Sequence, residues 1–238
     1  MAAPRTGSNL LCTLLNSHPE VLCHHELYNP DGIFYALDYR DGSLDFGSMA
    51  VRDGDPFGFL QRVWEHPQGA SCVGFKMTRG QNAAIMQGLT VDHAVSKILL
   101  YRKNRLKTFV SEQIARQTNR WEVYAKGKLA TDVPRVHIDV ESFKAHCDLN
   151  KSFYADIERG LRSSRQPWIE TAYESILTAS EHVRLLEFLG VDATRARLSQ
   201  SSIKQNNANL RSHIENYREL EMAFKGSEYL SELYDCEY

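Results

Sequence analysis

The chain has no C-x-x-C pair, and its five cysteines, Cys12, Cys23, Cys72, Cys147 and Cys236, are odd in number and widely spaced. That pattern suggests neither a disulfide scaffold nor a structural zinc site, and it points to reduced thiols in a cytoplasmic protein. A basic excess is missing as well. With 28 Lys+Arg against 30 Asp+Glu the formal charge is −2, so no nucleic-acid partner is expected and any anion site must be local. No apolar run reaches the ~18–20 residues that a membrane helix requires; Val95–Tyr101 is short and contains Lys97, so no integral membrane segment is expected. Pro4, Arg5 and Gly7 interrupt the start too early for a signal peptide. Only 14 Gly and 7 Pro are too few for a disordered or fibrous chain.

What is present reads as one α/β domain spanning 1–238, with short apolar strands alternating with helices around a mainly parallel sheet. Leu10–Leu15 follows a loop-like Thr6-Gly7-Ser8-Asn9 cluster and reads as a helix. Asp31–Asp55 reads as an irregular excursion, and Phe57–Trp64 as a helix. Cys72–Met77 and Lys97–Tyr101 read as buried parallel strands joined by a crossover helix at Ala83–Leu89. A helix is predicted for Arg105–Arg116, a strand for Arg135–Val140, a helix for Phe143–Leu161 and a strand for Trp168–Tyr173. Ser180–Leu189 stops at Gly190 as a helix should. Ser199–Asn209 reads as a surface loop and Ile214–Phe224 as a helix.

The stretch richest in chemistry is Ala2-Ala3-Pro4-Arg5-Thr6-Gly7-Ser8-Asn9-Leu10-Leu11. An apolar stub, a turn containing glycine and an apolar helix together build an anion cradle. Turn amides and the helix N-terminus supply partial positive charge, and Arg5 supplies a full one. Thr6, Ser8 and Asn9 add side-chain donors. The loop is not a Walker A motif, since G-x-x-x-x-G-K-[ST] occurs nowhere.

Pro4-Arg5-Thr6-Gly7-Ser8-Asn9 resembles the 5′-phosphosulfate loop of sulfotransferases that use 3′-phosphoadenosine-5′-phosphosulfate (PAPS), and Asn16–Val21 resembles its continuation. His24-His25-Glu26-Leu27 is similar to the segment where the bacterial carbohydrate branch, acting on Nod factors and trehalose glycolipids, carries an acidic catalytic residue. Tyr101–Ser111 resembles the 3′-phosphate site, a basic residue at a strand end followed eight positions later by Ser. Counting back from Ser111 reaches Lys103, with Arg102 adjacent, and either could hold the phosphate. Gly74-Phe75-Lys76, Trp168, Tyr173-Glu174-Ser175-Ile176, Lys204-Gln205 and Ile214–Leu220 continue the likeness to the end. Only Met1-Ala2-Ala3 stand for the first strand, which would be a shortened one.

The resemblance implies a P-loop-like three-layer fold and transfer of a sulfuryl group from PAPS to a hydroxyl of a carbohydrate, glycolipid or other small acceptor, releasing 3′-phosphoadenosine-5′-phosphate (PAP). Glu26 would be the base with His25 next, and Arg5 would act on the transferring group. Arg5, Thr6, Gly7, Ser8, Asn9, Arg102, Lys103, Ser111 and Lys204 would hold the nucleotide. A homodimer is compatible with it. Two other readings are a kinase-like P-loop phosphotransferase, disfavoured by the missing Walker Lys, and a nucleotide-binding module without catalysis.

Overall fold

The computed structural model describes residues 1–122, 133–195, 198–199 and 209–234. Those residues form a mixed α/β fold whose strands pair in parallel. Strand β1 (Val21–His24) pairs with β2 (Cys72–Phe75), and β3 (Lys97–Tyr101) with β4 (Trp168–Ala172). The pairs are joined by one residue of the N-terminal stub: Ala2 makes parallel bridges to Thr78 on one side and Leu100 on the other. Its N–H donates to Met77 O and its carbonyl accepts from Arg79 N, each at 3.0 Å. The cradle loop therefore leaves from between the two strand pairs.

Helices cover both sides of this framework. Helix α1 (Ser8–Asn16) buries Leu10, Leu11, Leu14 and Leu15 against Val21, Cys23 and Leu100, together with Leu185 and Leu186 of α7 (Ala179–Leu189). The alternate strand residues Val73 and Phe75 pack toward α3 (Pro56–Trp64) and α4 (Ala83–Val91), and Leu99 toward Ile157 and Leu161 of α6 (Val140–Ser163), as the two-residue side-chain period of strands requires. Helix α5 (Arg105–Thr118) packs on α6 and on the C-terminal helices α8 (Tyr217–Ala223) and α9 (Leu230–Tyr234) through Phe109, Phe143, Leu220, Phe224 and Leu233. Helix starts are specified locally, with Asn82, Asn104 and Asp139 each accepting from the amide three residues on, at 3.0, 2.7 and 2.8 Å. Gly190, at φ 73°, ends α7 as expected.

Several sequence expectations need correction. The 31–55 excursion contains helix α2 (Met49–Gly54) and a 3-10 turn at Leu37–Tyr39. Arg135–Val140 is no strand: Val136 makes only an isolated bridge to Ile214 before α6 begins. The helix expected over Ile214–Phe224 is confined to Tyr217–Ala223. β1 was not foreseen, and the crossover strands β2 and β3 are separated by Ala2 rather than paired. Most of the Ser199–Asn209 segment lies outside the described residues.

Candidate functional site

The cradle is built on two left-handed residues, Arg5 at φ 63° and Gly7 at φ 93°. At Gly7 the glycine is obligatory twice over. The positive φ disfavours a side chain, and a Cβ would meet Tyr173 Cδ2 at 2.3 Å. Gly7 caps α1 and has no side chain to accept from the first-turn amides, which leaves them for an anion. Arg5 is not glycine, so its left-handed backbone costs on the order of 1–2 kcal/mol, strain of the kind found at functional sites. Buried Thr6 turns its hydroxyl inward to Ala3 O at 2.8 Å, so that donor holds the loop together. Ser8, half-buried, opens α1.

On one side of the loop, Arg5 Nε donates to Ser111 Oγ at 3.0 Å, and its NH1 donates to the Trp121 carbonyl. Burial, the like charge of Arg102 and, in the opposite sense, Glu112 bring the Arg5 pKa down to about 10, so it stays charged at neutral pH. Arg102 Cζ lies over the Tyr173 ring, 4.6 Å from its centroid, and the same ring abuts Gly7. Lys103 is exposed, and its backbone N–H reaches Glu174 Oε1 at 3.1 Å. Of the two basic residues left open by spacing, Arg102 is the one whose charge bears on Arg5. Lys204 lies outside the described residues.

On the other side, Lys76 Nζ donates to Asn9 Oδ1 and pairs with Glu26 Oε1 at 2.8 Å. Glu26 Oε2 accepts from Asn29 Nδ2. Thus the expected acidic residue is brought to the cradle by a buried lysine from the end of β2. His24 and His25 are fully buried. Burial lowers the His24 pKa to about 4, while burial followed by the charges of Lys76 and Arg40 lowers that of His25 to about 3. Both imidazoles are neutral, and His25 is a weak base. Near His25, Arg40 NH1 pairs with Glu122 Oε1 at 2.6 Å, which links the excursion to the segment after α5. His93 is exposed before β3.

Sequence reasoning missed Asn29, Arg52, the Arg40–Glu122 pair and the Trp121 carbonyl that accepts from Arg5. Asn29 had a local signal, three residues beyond Glu26; the others had none. Among the described residues no three metal-ligating side chains converge, and no helix is long and apolar enough to cross a membrane.

No family model matches the chain. It is 27% identical to nodulation protein H of Rhizobium meliloti strain 1021 over 96% of its length and 91% of that protein. It is 26% identical to nodulation protein H of Rhizobium tropici over 96% of its length and 89% of the relative.

Proposed function

We propose, for a chain that resembles Nod-factor-type sulfotransferases over 96% of its length, that it transfers the sulfuryl group of PAPS to a hydroxyl of a carbohydrate or glycolipid within a P-loop-like fold. The observation that carries this reading is the double attachment of the cradle. Arg5 ties it to Ser111 across 106 positions, and Asn9 ties it through Lys76 to Glu26. Anion-binding groups and a carboxylate thus meet on one loop.

In this reading the amides of the α1 start, Arg5 and Lys76 surround the 5′-phosphosulfate. Arg102 and Ser111 take the 3′-phosphate, for which a guanidinium offers a bidentate contact that Lys103 could not. Glu26 removes the acceptor hydroxyl proton as the oxygen attacks sulfur in line. The sulfur–oxygen bond to the 5′-phosphate breaks, and the charge that develops on the departing phosphate of PAP meets Arg5, Lys76 and the loop amides. Glu26 is preferred to His25 because the imidazole is buried among cations and resists protonation.

The test is transfer of labelled sulfate from PAPS to an acceptor panel, alongside thermal shifts with PAP and with ATP·Mg²⁺. PAP at a hundred times its Kd should stabilise by about 2.7 kcal/mol, roughly 5–10 °C for a chain this long, with no shift from ATP·Mg²⁺. A shift with ATP·Mg²⁺ and none with PAP refutes the reading. Binding of PAP without transfer to any acceptor leaves only the nucleotide module.

A further inference from the structure

Arg52 is 2% exposed although it lies on α2 in the excursion that reads as irregular. A buried guanidinium needs acceptors for its N–H groups, and those found here belong to one place. NH1 donates to the carbonyls of Leu27, Asn29 and Gly32 at 3.0, 2.9 and 3.0 Å. Nε and NH2 are held by the neighbouring Asp53 carboxylate at 2.7 and 3.2 Å, which balances the charge. The three carbonyls belong to the turn that leaves Glu26, closed also by Phe34 N to Glu26 O at 3.1 Å.

Within that turn Asn29 connects the guanidinium to the carboxylate. Its carbonyl is one of the Arg52 acceptors, and its side-chain Nδ2 donates to Glu26 Oε2. Its Oδ1 accepts from Asp31 N at 2.8 Å, which fixes the amide so that the NH₂ end, not the oxygen, faces Glu26. With Lys76 on Oε1, each carboxylate oxygen has one donor and retains a lone pair. We propose that Arg52 and Asn29 are positioning residues for Glu26: the guanidinium gathers the turn, and the Asn29 amide sets the rotation of the carboxylate. This rests on the reading of Glu26 as the base.

The titratable and charged groups around Glu26 are Lys76 at the end of β2, His25 beside it, Cys12 of α1 and, beyond His25, the Arg40–Glu122 pair. None of them is altered by substitution at position 29 or 52.

The experiment uses full-length protein carrying ¹³C at its glutamate carboxyls, with PAP bound. The Glu26 resonance is the one absent from Glu26→Gln. At one fixed neutral pH, Asn29→Ala should shift the Glu26 carboxyl resonance relative to the unsubstituted protein, because the donor on Oε2 is gone. It should lower PAPS desulfation, measured with water as acceptor, by about tenfold and leave PAP affinity within about twofold. Arg52→Ala should move the resonance in the same direction and lower turnover about tenfold or more, and Arg52→Lys should recover part of the loss. Should Arg52→Ala fail to fold, Asn29→Ala and Arg52→Lys carry the test. A Glu26 resonance unmoved in Asn29→Ala overturns the proposal, as does PAP affinity falling in step with turnover. Full activity of Glu26→Gln overturns the base reading instead, while the resonance shift in Asn29→Ala still decides whether the amide acts on the carboxylate.

Discussion

Replacing Gly7 by Ala perturbs the cradle with a single methyl group, and the structure sets the size of the effect. At φ 93° an L side chain costs about 1–2 kcal/mol. The new Cβ would lie 2.3 Å from Tyr173 Cδ2 and 2.9 Å from Cε2. Tyr173 cannot simply swing away, because its N–H is anchored to Tyr101 O at 2.8 Å and Arg102 lies over its ring. Overpacking of this kind costs about 1–3 kcal/mol. Together the two effects come to about 2–5 kcal/mol, a fall in Tm on the order of 10 °C at this chain length. The displaced ring should also shift Arg102 and erode the preference for PAP over AMP. In a Tyr173→Ala background the clash is gone and only the backbone contribution remains, so the same substitution should then cost about 1–2 kcal/mol. Thermal melts of the four proteins, with PAP and AMP titrations, give the cycle. An equal penalty in both backgrounds refutes the steric reasoning, and an unchanged nucleotide preference refutes the link from Tyr173 to Arg102.

Arg5→Ala should lower sulfuryl transfer by ~10²–10³-fold, as loss of one donor to developing charge does, with a much smaller effect on PAP binding; unchanged turnover removes Arg5 from the mechanism. Arg102→Ala should abolish the preference for PAP over AMP, Ser111→Ala should weaken it, and Lys103→Ala should leave it nearly intact; titration calorimetry with both nucleotides ranks the three, and the reverse order for the two basic residues would restore the register counted from Ser111. His24 and His25 have folded pKa values of about 4 and about 3, below the unfolded value of ~6.5, so the unfolded chain binds more protons throughout that window and stability falls as pH drops below ~6.5. Each imidazole removes roughly 2 kcal/mol between pH 6.5 and 5; urea midpoints should follow this slope, with His25→Gln reducing it by about half, and a flat profile contradicts the burial argument.

The cradle was legible because its determinants are local: a glycine with positive φ, a helix with a leucine face and a basic residue between them all lie within a dozen positions. Helices starting after Asn82 and Asn104 announce themselves for the same reason, whereas the start at Asp139 is hidden in a stretch that reads as a strand. β1 escaped because Val21–His24 is four residues long and buried throughout, so it has no alternation to read. The proposed preference for Arg102 over Lys103 rests on Tyr173, some seventy positions downstream, and no spacing rule within one strand end contains that partner. Glu26 was found through the resemblance of its segment. What holds it, Lys76 from one strand end and the Asn29 turn gathered by Arg52, is assembled by packing between segments that share no local pattern.

The single-residue bridge at Ala2 also has a temporal side. The partners of this segment are Met77, Arg79, Leu100 and, through the Ala3 amide, the Tyr154 hydroxyl at 2.9 Å. On the ribosome, at about 5–20 residues per second, Leu100 is added roughly 5–20 s after Ala2, and Tyr154 later still. These residues must therefore wait unpaired until the middle of the chain exists, and then slot between two strand pairs. The cradle lies early in the sequence, yet it can take shape only once segments a hundred and more positions later have been made.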